Sequence, residues 1–368
     1  MKYIDIIVGA RPNFIKIAPL IHSIKKHNNK KKVIKFRLIH TGQHYDESMS
    51  DSFFRDLKIP KPHINLNSKS GTQASQTAKI MVAYENVLIR DKCDLCIVVG
   101  DVNSTMACAI VAKKLNVRVA HIEAGLRSRD ITMPEEINRI ITDSISDYCF
   151  TTSLSASKNL INEGKNKNQI FFVGNLMIDS LYLFEKSIKK KKILKNYNID
   201  HKSYIIVTLH RVENTQNDKK IKYLLDLISK SAKDFKIIFP VHPRINKFKS
   251  KYHKRYNNIL FIEPQPYLNF IYLMRNSIGI ITDSGGITEE SSILNIPCIT
   301  MRKTTERPET IDRGTNILVG DNKDKIIHSI KMLISRKWKK PKKIDKWDGK
   351  TSDRIIKKLI KLKFILND

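Results

Sequence analysis

Acids, histidines and arginines placed just after short β-branched runs carry the chemical potential of this chain. Asp101 lies in GDVNST, Glu123 in HIEAGLRSRD, and Glu135 and Glu136 together in MPEEINR. Carboxylates brought to one place raise one another's proton affinity, which makes them usable as general acids and bases. Each also has a plainer reading. Glu135 and Glu136 follow Pro134 in the first turn of a helix, where the helix dipole favours negative charge in any protein. The argument for chemistry is their convergence on one sheet edge.

A second set suits phosphate. In GARPNFIK, Arg11 and Lys16 open a helix, and the single glycine there excludes a Gly-rich dinucleotide fingerprint in favour of a cationic clamp. TLHRVEN places His210 and Arg211 at a strand end, and PVHPR supplies His242. In TDSGGITEES a strand runs into Ser284, Gly285 and Gly286 and then a helix, offering backbone N–H groups and a positive helix end to a diphosphate. Glu289 and Glu290 follow as acceptors for ribose hydroxyls, and MRKTTERPE brings Arg302 and Arg307 towards the same place. These segments together suggest a nucleoside diphosphate on the second half of the chain and a ring beneath the carboxylates of the first. No metal is required: the histidines are scattered, and there is no Walker lysine, Asp-x-Asp motif or nucleophile elbow.

The elements that must position these residues repeat one unit, a short apolar run followed by a helical pattern. Strands are expected at 3–9, 34–42, 94–101, 118–125, 147–153 and 170–175, then at 204–210, 235–243, 259–265, 278–286, 297–302 and 315–320. This alternation predicts an α/β chain of two Rossmann-like, doubly wound domains facing a cleft. The junction is expected near Gly174 and Asn175. A first domain, 1–174, would be completed by an amphipathic C-terminal helix within 354–368; the second spans 175–353.

A formal net charge of +31 invites a nucleic-acid reading, but the lysines are spread in short runs such as 189–192 and 339–343, as on a solvated surface. No nucleic-acid or membrane partner is expected. Five cysteines in apolar runs and the absence of a membrane-spanning stretch point to the cytoplasm. Cys93 and Cys96 are read as packing residues sent to opposite faces by strand alternation.

In order, GARPNFIK, HTGQHYDESM, GDVNST, HIEAGLRS, MPEEINR, LHRVEN, PVHPR, TDSGGITEE and TTERPE resemble the motifs of non-hydrolysing UDP-N-acetylglucosamine 2-epimerases across residues 3–320. The resemblance implies a GT-B-like fold, a homodimer, no cofactor, and interconversion of UDP-N-acetylglucosamine and UDP-N-acetylmannosamine for surface polysaccharide precursors. It implies elimination of UDP to 2-acetamidoglucal followed by re-addition. By similarity Asp101, Glu123, Glu135 and His210 are catalytic. Arg11, Lys16, Arg127, Arg211, Ser284, Gly285, Gly286, Glu290 and Arg307 bind the UDP-sugar. Gln43, His44, Glu136 and His242 match a second, activating UDP-N-acetylglucosamine site, although Val212 departs from the family's HRRE. Related substrates, UDP-2,3-diacetamido-glucuronate or a UDP-6-deoxy sugar, share nearly all these motifs, and a hydrolysing 2-epimerase is a further alternative.

Overall fold

A computed structural model describes residues 2–29, 34–42, 51–68, 71–215, 217–241 and 251–362. The chain divides into two compact units, Met1–Leu183 with Asp345–Asp368, and Phe184–Ile344.

Unit 1 is built on a parallel sheet of strands β1 (Lys2–Val8), β2 (Ile34–His40), β3 (Ile64–Asn65), β4 (Leu95–Val99), β5 (Arg118–Ala124), β6 (Tyr148–Thr151) and β7 (Ile170–Phe172). Their order is β3-β2-β1-β4-β5-β6-β7. Ile4, Ile6, Val8, Leu95, Ile97 and Val99 are essentially buried, as expected of central strands covered on both faces. The short β3 was not expected from sequence, because a two-residue strand carries no periodicity.

Unit 2 repeats the architecture with β8 (Tyr204–Thr208), β9 (Lys236–Pro240), β10 (Ile259–Ile262), β11 (Gly279–Thr282), β12 (Cys298–Thr300) and β13 (Asn316–Leu318), ordered β10-β9-β8-β11-β12-β13, all parallel. In each sheet the winding direction reverses once, between β1 and β4 in unit 1 and between β8 and β11 in unit 2. The carboxyl ends of strands at such a reversal are where open α/β sheets bind ligands.

The boundary falls nine residues later than the sequence suggested. The helix Leu176–Leu183 belongs to unit 1 because it packs along the helix Arg11–Asn28, with Ser180 Oγ donating to Ile15 O at 2.7 Å. Its Asp179 also accepts from the backbone N–H groups of Thr351 (3.0 Å) and Ser352 (2.7 Å), satisfying the start of the returning helix Thr351–Lys361. Burial pushes the Asp179 carboxyl up. The returning helix buries Ile355, Ile356 and Leu359, and it begins three residues before the expected 354. Gly174 has φ +105, and a Cβ there would lie 2.2 Å from Lys346 O, so only glycine lets the return crossing pass.

Cys93 and Cys96 both join the core cluster formed with Tyr84, Val98 and Cys108 rather than facing opposite ways. Cys93 precedes β4, so strand alternation does not apply to it. Burial raises both thiols.

Candidate active site

In unit 1 the turn after β1 is stapled across the sheet's reversal by Asn13. Its Oδ1 accepts from the N–H groups of Gly9 (3.3 Å) and Ala10 (2.9 Å), and its Nδ2 donates to Val99 O (3.1 Å) at the end of β4. Arg11 and Lys16 leave this turn on one helix. The Arg11 guanidinium stands 5.4 Å from the centroid of Phe53. Lys16 is buried, with Nζ 2.6 Å from Glu123 Oε2. A buried ammonium placed so close to a carboxylate serves first as that acid's counter-ion, so Lys16 is better described as the partner of Glu123 than as an outlying phosphate clamp.

Glu123 ends β5 at an irregularity: pairing with β6 shifts register between Ile122 and Ala124, and Glu123 itself has φ +70. Residues with a β-carbon enter that region only when their surroundings compel it. Across from it, Gly100 has φ +73, and a Cβ there would lie 3.6 Å from Asn13 Nδ2, 3.7 Å from Glu123 Oε2 and 3.7 Å from Lys16 Nζ. Gly100 thus opens the recess that these three polar groups surround. The next residue, Asp101, ion-pairs with Arg139 and keeps its side chain 30% exposed. Asp101 and Glu123 are thus each paired with a cation, Arg139 and Lys16 respectively. Beside them Thr41 and Ser104 share a hydrogen bond of 2.6 Å.

Glu135 stands exposed in the first turn of the helix Pro134–Ile145. Its neighbour Glu136 turns inward and accepts from the N–H groups of Ser128 (3.0 Å) and Arg129 (2.8 Å) and from Arg139 Nε (2.9 Å) and Nη2 (2.6 Å). Burial opposes the charge, but these donors hold the Glu136 carboxyl below its ordinary range. These bonds engage Glu136 in fixing the 128–129 loop. Arg127 is buried with its guanidinium on Asp143 (2.7 Å) and Glu163 (2.5 Å), so it braces the fold. Gln43, His44 and His242 lie outside the described residues.

The reversal in unit 2 is bridged by an acid and a histidine. His210 follows β8 and Asp283 follows β11, with His210 Nδ1 2.7 Å from Asp283 Oδ1. The same carboxylate accepts from the backbone N–H groups of His210 (3.1 Å) and Arg211 (3.0 Å) and from Asn214 Nδ2 (3.1 Å). Asp283 is fully buried, which alone would raise its carboxyl, yet the His210 side chain and these donors hold it below the ordinary value. The arrangement commits Nδ1 of His210 to Asp283 and leaves proton chemistry to Nε2. Arg211 Nε donates to Asp283 O at 3.1 Å, which ties that guanidinium to the same turn.

Directly after Asp283, Ser284 occupies the N-cap of the helix Gly285–Ile293 without making a side-chain cap hydrogen bond. A Cβ on Gly285 would lie 2.6 Å from Glu306 Oε1, 3.2 Å from Arg302 Nη1 and 3.4 Å from Arg307 Nη1. Arg302 is 3% exposed and its Nη2 pairs with Glu306 at 2.8 Å, whereas its buried Nη1 has no hydrogen-bond acceptor among the described residues. Buried donors are normally satisfied, so this one asks for an acceptor at the helix N-terminus. Arg307 pairs with Glu289 Oε1 and with Glu306 Oε1 (2.5 Å), which makes it a brace. Glu290 is buried beside Tyr267, whose hydroxyl is raised well above its ordinary value by burial and then by that carboxylate.

The profile of one family, UDP-N-acetylglucosamine 2-epimerase, matches residues 26–360. The chain belongs to this family. Within the 2-epimerase family, the UDP-N-acetylglucosamine 2-epimerase of Methanocaldococcus jannaschii is 43% identical over 367 residues, spanning 96% of this chain and 98% of the relative. A crystal structure of the 2-epimerase from that organism in complex with UDP-GlcNAc and UDP superposes with a TM-score of 0.87 at 42% identity, covering 98% of this chain and 99% of the other. A Pseudomonas aeruginosa UDP-2,3-diacetamido-2,3-dideoxy-D-glucuronate 2-epimerase is 36% identical over 359 residues, covering 97% and 99%. Family membership makes the chain an isomerase of the UDP-sugar 2-epimerase kind. Among the described residues, no three His, Cys, Asp or Glu side chains are grouped to hold a metal ion.

The sequence pointed Arg302 towards the diphosphate but gave Arg139, Asp143, His121 and Asp283 no role. Asp283 had a legible signal, since it directly follows a strand of the second series. Arg139 stands three residues after Glu136 on one helix, a spacing that pairs side chains.

Proposed function

We propose that this protein is a non-hydrolysing UDP-N-acetylglucosamine 2-epimerase that interconverts UDP-N-acetylglucosamine and UDP-N-acetylmannosamine. The observation that carries the reading is the pair of acids flanking the Gly100 recess, Asp101 and Glu123, each paired with a cation at the ligand-binding edge of unit 1. Inverting C2 needs removal of a weakly acidic C–H proton on one face and delivery of a proton on the other. One acid takes the C2 proton while the C1–O bond breaks, the electron pair leaves with UDP, and 2-acetamidoglucal forms. Re-addition of UDP at C1 with protonation of C2 from the opposite face gives the epimer. Reactant and product are isomers, so no net oxidation or co-substrate is involved. Asp101, Glu123 and Glu135 are the candidates for the two faces.

Unit 2 carries groups suited to the departing diphosphate: Ser284, the N–H groups at Gly285 and Gly286, and Arg302 Nη1. His210, oriented by Asp283, can exchange a proton with the leaving phosphate. Glu290 is retained as the ribose acceptor, and Arg11 as a phosphate contact. The Pseudomonas aeruginosa relative keeps UDP-2,3-diacetamido-glucuronate as the second substrate to test.

A homodimer is the assembly we favour. Val82 and Ile89 on the helix Gln73–Arg90 and Ile137 and Ile140 on Pro134–Ile145 are exposed apolar side chains, on two helices that both pack on Asn103–Lys114. A cytoplasmic location and a role in polysaccharide precursor supply complete the reading; among the described residues no helix is long and apolar enough to cross a membrane. Product analysis tests the reaction class. UDP-N-acetylmannosamine formed without any sugar acceptor supports it, whereas free N-acetylmannosamine and UDP would establish a hydrolysing enzyme instead.

A further inference from the structure

Behind the two acids of unit 1 runs a buried network that the proton transfers do not touch directly. Asp143, 2% exposed, projects from the helix Pro134–Ile145, and its Oδ1 lies 2.6 Å from Nδ1 of the fully buried His121 on β5. Its Oδ2 accepts from the N–H of Gly125 (3.0 Å) and from Arg127 Nη1 (2.7 Å). The other His121 nitrogen, Nε2, lies 2.8 Å from Gly100 O. A carbonyl oxygen only accepts, so Nε2 is the donor there. Gly100 N–H in turn donates to Ile122 O at 3.0 Å.

These bonds have a simple geometry with respect to the acids. Asp143 grips β5 at His121 and at Gly125, two residues to either side of Glu123. Through His121 it also fixes Gly100, the residue before Asp101. Between the two grips the strand departs from regular pairing, and Glu123 takes its left-handed φ of +70. Without an anchor on each side, a glutamate would relax from that conformation towards the extended one.

We propose that Asp143 is a positioning residue for the epimerase reaction, acting through His121 and the Gly125 N–H to hold Glu123 and the Gly100–Asp101 turn in working register. The proposal rests on the reading of Asp101 and Glu123 as proton-transfer groups. An ordinary core ion pair would give stability alone, so the two roles separate in kinetics.

Asp143→Ala removes both grips. Asp143→Asn keeps them in another form, with Oδ1 accepting from Gly125 and Arg127 and Nδ2 donating to His121 Nδ1 while Nε2–H still meets Gly100 O. Misplacing an acid by about 1 Å costs on the order of 100-fold in rate. Asp143→Ala is therefore expected to bind UDP as the wild type does and keep KM within a few-fold, with kcat lower by about 100-fold. Asp143→Asn should recover most of that loss. Glu163→Gln, at the outer end of the same network, should lower the melting temperature and leave kcat unchanged. A folded Asp143→Ala enzyme with wild-type kcat, or equal losses in the Ala and Asn variants, overturns the proposal. If Asp143→Ala does not fold, His121→Asn is measured against the same criteria. Should the wild-type chain itself not epimerise the sugar, the functional reading fails separately. The crystal structure of Asp143→Ala then decides positioning: Glu123 leaving the left-handed region supports it, and Glu123 unmoved refutes it.

Discussion

His210 and Asp283 close the strand reversal of unit 2 from opposite sides, with Nδ1 and Oδ1 2.7 Å apart and the backbone N–H groups of His210 and Arg211 turned onto the same carboxylate. The acid therefore fixes both the ring and the turn that carries it. Asn at position 283 can keep the backbone bonds through its carbonyl, but its amide must donate to Nδ1, which forces the proton onto Nε2. With the tautomer reversed, Asp283→Asn should lower turnover by about 100-fold or more while UDP binds within a few-fold of wild type. Steady-state kinetics with UDP titration calorimetry measures both. A purely structural Asp283 would lower the melting temperature and spare the turnover of the folded fraction.

Ser284 and Arg302 both lie at the N-terminus of the helix Gly285–Ile293. Replacing an N-cap serine with alanine typically costs about 1 kcal/mol because a cap bond is lost, but Ser284 makes none. Ser284→Ala should leave the melting temperature nearly unchanged and weaken UDP binding by about tenfold, the worth of one hydrogen bond to a charged group. Arg302→Gln should weaken UDP binding by about tenfold to 100-fold and also destabilise unit 2, because Glu306 loses a buried cation. UDP affinity intact in both variants would place the diphosphate elsewhere.

Acid should loosen unit 1 through Glu136 and Asp143. Both carboxyls titrate lower in the folded protein than their ordinary 4.5 and 3.8, so the unfolded chain binds protons more readily and stability rises with pH. Their contribution is complete above those ordinary values and disappears as pH falls through the lower folded ones. Asp179, raised by burial, has the opposite sign and loses its contribution as pH rises. Glu136→Gln should be less stable than wild type at pH 7 by an amount that shrinks below about pH 4.5, as thermal melts across that range would show. A gap that stays constant or widens in acid would contradict the assignment.

Much of this was readable from sequence because a doubly wound sheet puts its working residues directly after its strands. Asp101, Glu123, His210 and Ser284 all come at or just after β-branched runs; the structure places Asp101, His210 and Ser284 just beyond strands that flank the two sheet reversals, and Glu123 near the end of the next strand, β5. What could not be read is which polar residues face one another across long separations. Lys16 and Glu123 are 107 positions apart, and their pairing turns an expected phosphate ligand into a counter-ion. Arg127 and Arg307 look like anion binders in any strand-end motif, yet Asp143 and Glu163 pair with the first and Glu289 and Glu306 with the second. The junction falls later than Gly174 and Asn175 because the stretch 176–202, which carries no strand signal, begins with a helix whose packing on Arg11–Asn28 leaves no local mark in the sequence.

The central claim is that the acids of unit 1 move the C2 proton of a UDP-sugar, and proton NMR in deuterated water with UDP-N-acetylglucosamine tests it most directly. The account predicts deuterium entering C2 as UDP-N-acetylmannosamine accumulates, with Asp101→Asn and Glu123→Gln each slowing the exchange by about 100-fold or more while still binding UDP. A wild-type chain that forms the manno epimer while retaining the C2 proton, or unimpaired exchange in both variants, would contradict it.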